Sequence, residues 1–172
     1  MLKMLTTQLT GKFKQIEEKE ALPIEDAARS LAQALVGDGH VYVKGFKEMK
    51  ALEAEMTEGE ERLPECRLLT GNESLTPIDR VLIATRYSTD EEALQLVDKV
   101  KAQGAEVVAL SSLVKNETGL EKAADIHVDL KVIQSLLPFE DSEWIVFPSA
   151  MTMLYSYYAI YMTLKEILAE YE

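Results

Sequence analysis

Short apolar runs that alternate with helical segments restrict the fold of this chain more than any other feature of its sequence. Residues 79–85 (DRVLIAT) and 106–110 (EVVAL) have the continuous apolar character of strands that are buried on both faces. Between them, residues 91–103 have the spacing of an amphipathic helix, which Gly104 ends. Strands of this kind, joined by helices, are typical of a parallel sheet covered on both sides. The sequence therefore predicts a three-layer α/β/α sandwich.

Weaker periodic segments complete this architecture. Three shorter strands are predicted, at residues 41–43, 66–69 and 126–130. The sheet then has five strands, mostly parallel, and residues 149–171 form a long C-terminal helix. One domain accounts for all of residues 1–172, with residues 1–22 as an N-terminal helical extension.

The charge balance excludes some classes of partner. The chain has 18 Lys and Arg against 30 Asp and Glu, a formal net charge of −12. Nucleic acids and anionic membrane surfaces repel such a chain, so we expect neither as a partner. Residues 144–164 carry no charge, but Pro148 divides the run. The helical part, residues 149–164, spans about 24 Å, short of the ~30 Å hydrocarbon core. We therefore expect a cytoplasmic protein without a membrane span.

Cysteine and histidine are too scarce for most metal or redox sites. Cys66 is the single cysteine, which excludes an intrachain disulfide and a multi-cysteine zinc site, and we expect it to be a buried strand thiol. The two histidines, His40 and His127, fall at the start of one predicted strand and inside another. No Cys/His/Asp grouping has the spacing of a metal site. The sequence therefore predicts neither a metal nor a cofactor.

The residues that follow the predicted strands are the candidates for a ligand site. In an open parallel sheet, ligands bind beyond the carboxyl ends of the strands, where the strand order reverses. The segments to consider begin at Gly45, at Arg86 and at Ser111, each just after a predicted strand.

Four segments, in order, resemble the signatures of the SIS (sugar isomerase) domain family. Residues 39–49 (GHVYVKGFKEM) resemble G-x-V-Y-x-x-G-x-G-x-S, and residues 84–91 (ATRYSTDE) resemble A-I-S-Y-S-G-x-T. Residues 104–111 (GAEVVALS) resemble G-x-x-V-I-A-L-T, and residues 120–125 (LEKAAD) resemble L-a-x-x-A-D. The resemblance covers roughly residues 24–171 and is nearest to the single-domain phosphoheptose isomerase type. It implies a flavodoxin-type strand order and a phosphorylated sugar or other small anion as ligand.

The chain departs from this family at the residues that would hold a phosphate. In the family, helix N-termini, Ser/Thr hydroxyls and loop glycines hold the sugar phosphate. Lys47 and Thr89 stand at the two loop glycines, and Arg86 stands at a loop serine. The resemblance and these departures make the candidate ligand-binding residues Gly45, Lys47, Arg86, Ser88, Thr89, Ser111 and Ser112.

Lys47 and Arg86 allow two interpretations. Both are cationic, and the planar guanidinium of Arg86 suits a phosphate, so the two residues could still bind an anionic ligand. Alternatively, the long side chains fill a pocket that is no longer used, and Arg86 pairs with Asp90 or with Glu48.

Ser88 has a second expected role at the start of the helix that follows it. Ser88 and Glu91 fit the pattern Ser-x-x-Glu, which predicts a capping box. Asp90, Glu91 and Glu92 also place three carboxylates in the first turn of that helix. They stabilise the helix dipole but raise the electrostatic cost of bringing a phosphate there.

No catalytic residue can be assigned from the sequence. Sugar isomerisation needs a general base, and the resemblance implies a glutamate and a histidine near the C-terminal helix, where this chain has no histidine. Glu48, Glu53 and Glu55 follow the first strand and could supply a carboxylate. Two hypotheses therefore stand: a sugar-phosphate-binding protein resembling phosphoheptose isomerases, or a non-catalytic oligomeric module that kept the fold and lost the sugar site.

The C-terminal helix is apolar around most of its circumference. One stripe of the helix comprises Met151, Leu154, Tyr155, Tyr158, Met162 and Leu168. A second set covers much of the remainder and comprises Met153, Tyr157, Ile160, Tyr161 and Leu164. A helix of this kind must be buried on most sides, which is difficult within one small domain. We expect a homodimer or larger homo-oligomer through this helix; burial wholly within its own domain is the alternative.

Overall fold

Five parallel strands form the central sheet of the computed structural model, which describes residues 1–171. The strands are β1 (Val41–Gly45), β2 (Arg67–Leu68), β3 (Arg80–Tyr87), β4 (Glu106–Ser112) and β5 (Ile126–Asp129). Their order in the sheet is β2-β1-β3-β4-β5, and every neighbouring pair is parallel. The predicted α/β class and the flavodoxin-type strand order are thereby confirmed.

Helices cover both faces of the sheet. They are α1 (Leu2–Lys19), α2 (Ala21–Val36), α3 (Ala51–Glu58), α4 (Glu91–Ala102), α5 (Leu120–Ala123) and α6 (Ser149–Ala169), with 3-10 turns at Lys47–Lys50 and Glu140–Ser142. One apolar core lies between the sheet and α1, α2, α3 and α6, and a second lies between the sheet and α4 and α5. No helix within residues 1–171 is both long enough and apolar enough to span a membrane.

Two strands extend further than the sequence predicts. Arg86 and Tyr87 belong to β3, and Ser111 and Ser112 belong to β4, although all four were expected just beyond a strand end. Pairing between β3 and β4 resumes at Tyr87 and Ser112 after an irregularity that begins at Ala84. Hydrogen bonding to the neighbouring strand therefore carries both strands past the end of their apolar runs.

A small antiparallel hairpin was not predicted. Its strands, β6 (Leu137–Pro138) and β7 (Trp144–Ile145), precede α6 and lie outside the main sheet. Strands of two residues leave no periodic signal in a sequence, which explains the omission.

Helix α6 is buried on one side only. Met153, Tyr157, Ile160 and Leu164 are fully buried against the domain. On the opposite side, Tyr158 is 40% and Met162 is 65% exposed. The chain itself therefore leaves part of the apolar surface of α6 uncovered, as the first of the two stripes predicted.

Candidate ligand-binding site

The carboxyl ends of β1 and β3 meet where the strand order reverses, because β2 lies beyond β1 while β4 lies beyond β3. A cleft of about 180 Å³ opens at this point. It is lined by Phe46, Lys47, Thr85, Asp90, Glu91, Glu92 and Ala93. A ligand is expected at such a position in an open parallel sheet. The cleft therefore coincides with the segments that the sequence singled out.

Lys47 retains the backbone conformation of the glycine it replaces in the family pattern. Its φ is +52°, in the left-handed region that glycine adopts most easily. The side chain of Lys47 is exposed and lines the cleft. The loop thus keeps a glycine-like path while presenting an ammonium group where family members have no side chain.

Gly45 is needed for packing of the chain against itself. A Cβ atom at this position would lie 2.2 Å from the carbonyl oxygen of Met49, because the turn after β1 folds back over the strand end. The backbone N–H of Gly45 donates to the carboxylate of Glu53 at 2.8 Å. Gly45 is therefore buried, and Glu53, a candidate carboxylate, stabilises the loop.

Arg86 pairs with Glu48, one of the two partners expected for it. The Nε and one terminal nitrogen of its guanidinium each donate to a different oxygen of Glu48, both at 2.8 Å. The hydroxyl of Ser149 donates to Glu48 at 2.7 Å, and the guanidinium carbon lies 5.6 Å from the ring centre of Phe147. These contacts join the ends of β1 and β3 to the start of α6.

The ion pair makes Glu48 strongly acidic. Hydrogen bonds from Arg86, opposed by partial burial and assisted by the Ser149 hydroxyl, lower the pKa of Glu48 to about 2. The same bonds raise the pKa of Arg86. A carboxylate with so low a pKa is a weak general base, so the arrangement does not favour proton abstraction by Glu48.

The stability of the protein should depend on this pair above pH 4.5. Because the folded pKa of Glu48 lies below its unfolded value, its contribution is full above the unfolded value and is lost as the pH falls toward 2. Glu48→Gln should therefore lower the free energy of unfolding by about 1 kcal/mol at pH 7, a value that allows for solvent screening. Urea unfolding at pH 7, 4 and 2.5 should show this difference shrinking. A difference independent of pH would contradict the assignment.

The predicted capping box at Ser88 is wrong. Helix α4 has Asp90 as its N-cap residue, with no side-chain capping hydrogen bond. The hydroxyl of Ser88 instead accepts the backbone N–H of Val114 at 3.0 Å, and its carbonyl accepts the N–H of Leu120. Ser88 is fully buried because the chain beyond β4 passes over it. A motif read along four residues could not reveal partners 26 and more positions away.

Asp90 holds the end of β3 instead of capping the helix. Its carboxylate accepts the hydroxyl of Thr85 and, at 3.3 Å, the backbone N–H of Tyr87. Thr89, beside it, is half-buried. With Glu91 and Glu92, Asp90 gives the α4 side of the cleft a row of carboxylates. This side suits hydroxyl donors better than a phosphate.

The hydroxyls of Ser111 and Ser112 bind within the protein. Ser111 Oγ lies 2.7 Å from Nε2 of His127, and Ser112 accepts the N–H of Val132 at 3.0 Å. Both serines are fully buried. Burial lowers the pKa of His127, which favours its neutral ring and hence a hydrogen bond from Ser111. Of the seven candidate residues, only Lys47, Arg86 and Thr89 therefore retain side chains in contact with solvent.

Two residues of this site had no signal that could mark them in the sequence. Ser149 and Phe147 come from the start of α6 and the segment before it, about one hundred positions after Glu48. The only local signal is the adjacent Pro148, which marks a helix start and carries no information about partners.

Cys66 and the metal-binding residue types add no further site. Cys66 lies just before β2 rather than within it, and burial raises the pKa of its thiol to about 12, so it is an unreactive thiol. Within the part of the chain that the structure describes, no three His, Cys, Asp or Glu side chains group as metal ligands would.

Solved structures share this architecture at low sequence identity. The c3406 protein of Escherichia coli CFT073, solved in complex with a phosphosugar, matches with a TM-score of 0.69 and 12% identity, over 98% of this chain and 89% of that chain. A phosphoheptose isomerase from Francisella tularensis matches with a TM-score of 0.61 and 16% identity, over 95% and 98% of the two chains. At such identities the likeness establishes the fold, which is that of the SIS-domain sugar isomerases.

Sequence comparison identifies much closer relatives. The YwjG protein of Bacillus subtilis strain 168, itself uncharacterized, is 42% identical over 172 residues, which cover 99% of each chain. Residues 1–168 match the family described as a domain of unknown function, DUF2529. The chain therefore belongs to the DUF2529 family, and the SIS fold is the framework on which its site is built.

Proposed function

We propose that this protein binds a phosphorylated sugar at the carboxyl edge of its sheet, with the phosphate on Arg86. The observation that carries the proposal is the two-point pairing of the Arg86 guanidinium with Glu48. A guanidinium that already grips a planar carboxylate has the geometry to grip a phosphate. The carboxylate of Glu48 thus occupies the place that an anionic ligand would take.

The two sides of the site suit the two ends of such a ligand. Arg86 lies on the α6 side of the sheet edge, where it contacts Phe147 and Glu48. The cleft on the α4 side presents Asp90 and Glu91, whose carboxylates can accept hydrogen bonds from sugar hydroxyls. Lys47 lines the same cleft and offers a second cation. The proposal is for binding alone, because Glu48 is too acidic in this arrangement to serve as the base of an isomerase.

A thermal-shift series with pentose, hexose and heptose phosphates and the corresponding free sugars tests the proposal. A ligand at 100 times its Kd adds about 2.7 kcal/mol, which raises the Tm by roughly 5–10 °C in a chain of this size. Arg86→Ala should abolish the shift. Arg29→Ala removes an exposed arginine that also pairs with a glutamate, and should preserve it.

A second function is favoured by the same ion pair. Arg86, Glu48 and Ser149 satisfy one another without any ligand, as expected of a site that has been filled and abandoned. The protein would then be a non-catalytic oligomeric module that serves regulation or assembly. The absence of a shift with every sugar phosphate, in the wild-type protein and in Arg86→Ala alike, would favour this function and overturn the first.

We also propose that the protein is a homodimer or larger homo-oligomer in which α6 takes part. Met151, Tyr158 and Met162 expose large apolar side chains along one side of this helix. Exposed tyrosine and methionine side chains are enriched at protein interfaces. This part of the proposal does not depend on the ligand site.

A further inference from the structure

A groove between α3 and α6 combines apolar side chains with uncompensated negative charge. Its volume is about 550 Å³. It is lined by Glu55, Glu60, Glu61, Tyr158, Tyr161 and Met162. Tyr158 and Tyr161 pack at a tilt against the buried Tyr157, which fixes the apolar floor of the groove. The groove is separate from the ligand cleft, which lies at the carboxyl edge of the sheet.

The glutamates around this groove have no cationic partner in their own chain. Glu55, Glu58, Glu60 and Glu61 form no ion pair within residues 1–171. The nearby Arg62 donates to the carbonyl of Gly59 instead. An occupant of this groove should therefore be apolar and positively charged.

The first four turns of α1 have the complementary composition. Residues 1–16 contain Lys3, Lys12 and Lys14 and no acidic residue, in a chain with a net charge of −12. Leu2 and Met4 are largely exposed, and Ile16 is the only buried residue of α1. These turns therefore project an apolar and basic surface that the rest of the chain does not cover.

The ring stack between Phe13 and Tyr155 places α1 beside the exposed side of α6. The two ring centres are 4.6 Å apart. Tyr155 is followed on the same side of α6 by Tyr158 and Met162, which line the groove. The projecting turns of α1 and the groove therefore belong to one continuous surface, which a second copy of the chain can cover.

We propose that this groove receives the N-terminal half of α1 from a second copy of the chain, in a reciprocal two-fold dimer. Leu2 and Met4 of each copy would pack on Tyr158 and Met162 of the other, with the α1 lysines facing the glutamates. A two-fold axis forms the contact twice, so each copy gives one helix and receives one. The inference deepens the assembly proposed above by naming what covers α6.

Charge reversal tests this reciprocal contact. One variant carries Lys3→Glu and Lys14→Glu, and the other carries Glu58→Lys and Glu60→Lys. The four side chains are exposed and make no hydrogen bond within residues 1–171, so these changes should leave the fold intact. Each variant alone should be monomeric by light scattering at concentrations where the wild-type protein is a dimer. An equimolar mixture should dimerise, because both reciprocal contacts are then attractive.

The outcomes separate this inference from the rest of the account. Asp98→Lys with Glu117→Lys, on the opposite side of the sheet, is the matched control and should remain dimeric. A wild-type monomer, a variant that stays dimeric, or a mixture that stays monomeric would overturn the inference. A variant that stays dimeric leaves α6 as an interface but removes α1 from it. Binding of sugar phosphates is a separate measurement, since none of these residues lies at the ligand cleft.

Discussion

Gly45→Ala is expected to lower the free energy of unfolding by about 3 kcal/mol, near the upper end for overpacking. The added Cβ would lie 2.2 Å from the carbonyl oxygen and 2.5 Å from the carbonyl carbon of Met49. It would also lie 2.7 Å from the backbone nitrogen of Lys50. These are all backbone atoms, so no side chain can rotate away and the whole turn after β1 must move. Urea unfolding monitored by circular dichroism measures the loss.

Gly11→Ala is the matched control for this substitution. A Cβ at Gly11 would meet no atom within 4 Å, and the residue lies inside α1, where alanine favours the helix. This variant should be more stable than the wild type by up to about 1 kcal/mol. Equal losses of stability in the two variants would show that the turn after β1 is not close-packed against Gly45.

Lys131→Met is expected to cost about 3 kcal/mol, because it leaves buried carboxylates without their cation. The ammonium of Lys131 contacts both Glu20 and, at 2.8 Å, Asp129, and its side chain is 17% exposed. Glu20 lies between α1 and α2, so the cluster ties these helices to the end of β5. Burial opposes ionisation of Asp129, but hydrogen bonds from the N–H of Leu113 and from Lys131 lower its pKa. The carboxylate is therefore charged at neutral pH when the cation is removed.

The control for Lys131→Met is Arg29→Met, which breaks an exposed ion pair with Glu25 on α2. Exposed pairs of this kind are worth about 0.3–0.5 kcal/mol. Guanidinium unfolding of the two variants should therefore differ by more than about 2 kcal/mol in stability. If Lys131→Met is as mild as Arg29→Met, the carboxylates find water or another donor, and the cluster does not hold α1 and α2 to the sheet.

The fold could be predicted because its central strands are apolar on both faces. The runs 79–85 and 106–110 each place apolar residues in both cores, which only a covered parallel sheet satisfies. The ends of β3 and β4 could not be predicted, because polar residues such as Arg86 and Ser112 continue the pairing. Tertiary hydrogen bonding overrides local composition at these positions.

The location of the site could also be predicted, but the partners of its side chains could not. Lys47 and Arg86 follow from their places relative to the strands. Glu48 was one of two expected partners for Arg86, whereas Ser149 is 101 positions away along the chain from Glu48. Ser88 shows the opposite error, since a locally convincing capping motif is overridden by distant backbone donors. Sequence spacing alone cannot rank partners that only the fold brings together.

A crystal structure with the sugar phosphate that gives the largest thermal shift tests the central claim most directly. We predict that the phosphate lies within hydrogen-bonding distance of the Arg86 guanidinium, that Glu48 has left it, and that the sugar hydroxyls face Asp90 and Glu91. A phosphate bound elsewhere, with the Arg86–Glu48 pair intact at 2.8 Å, would contradict the account.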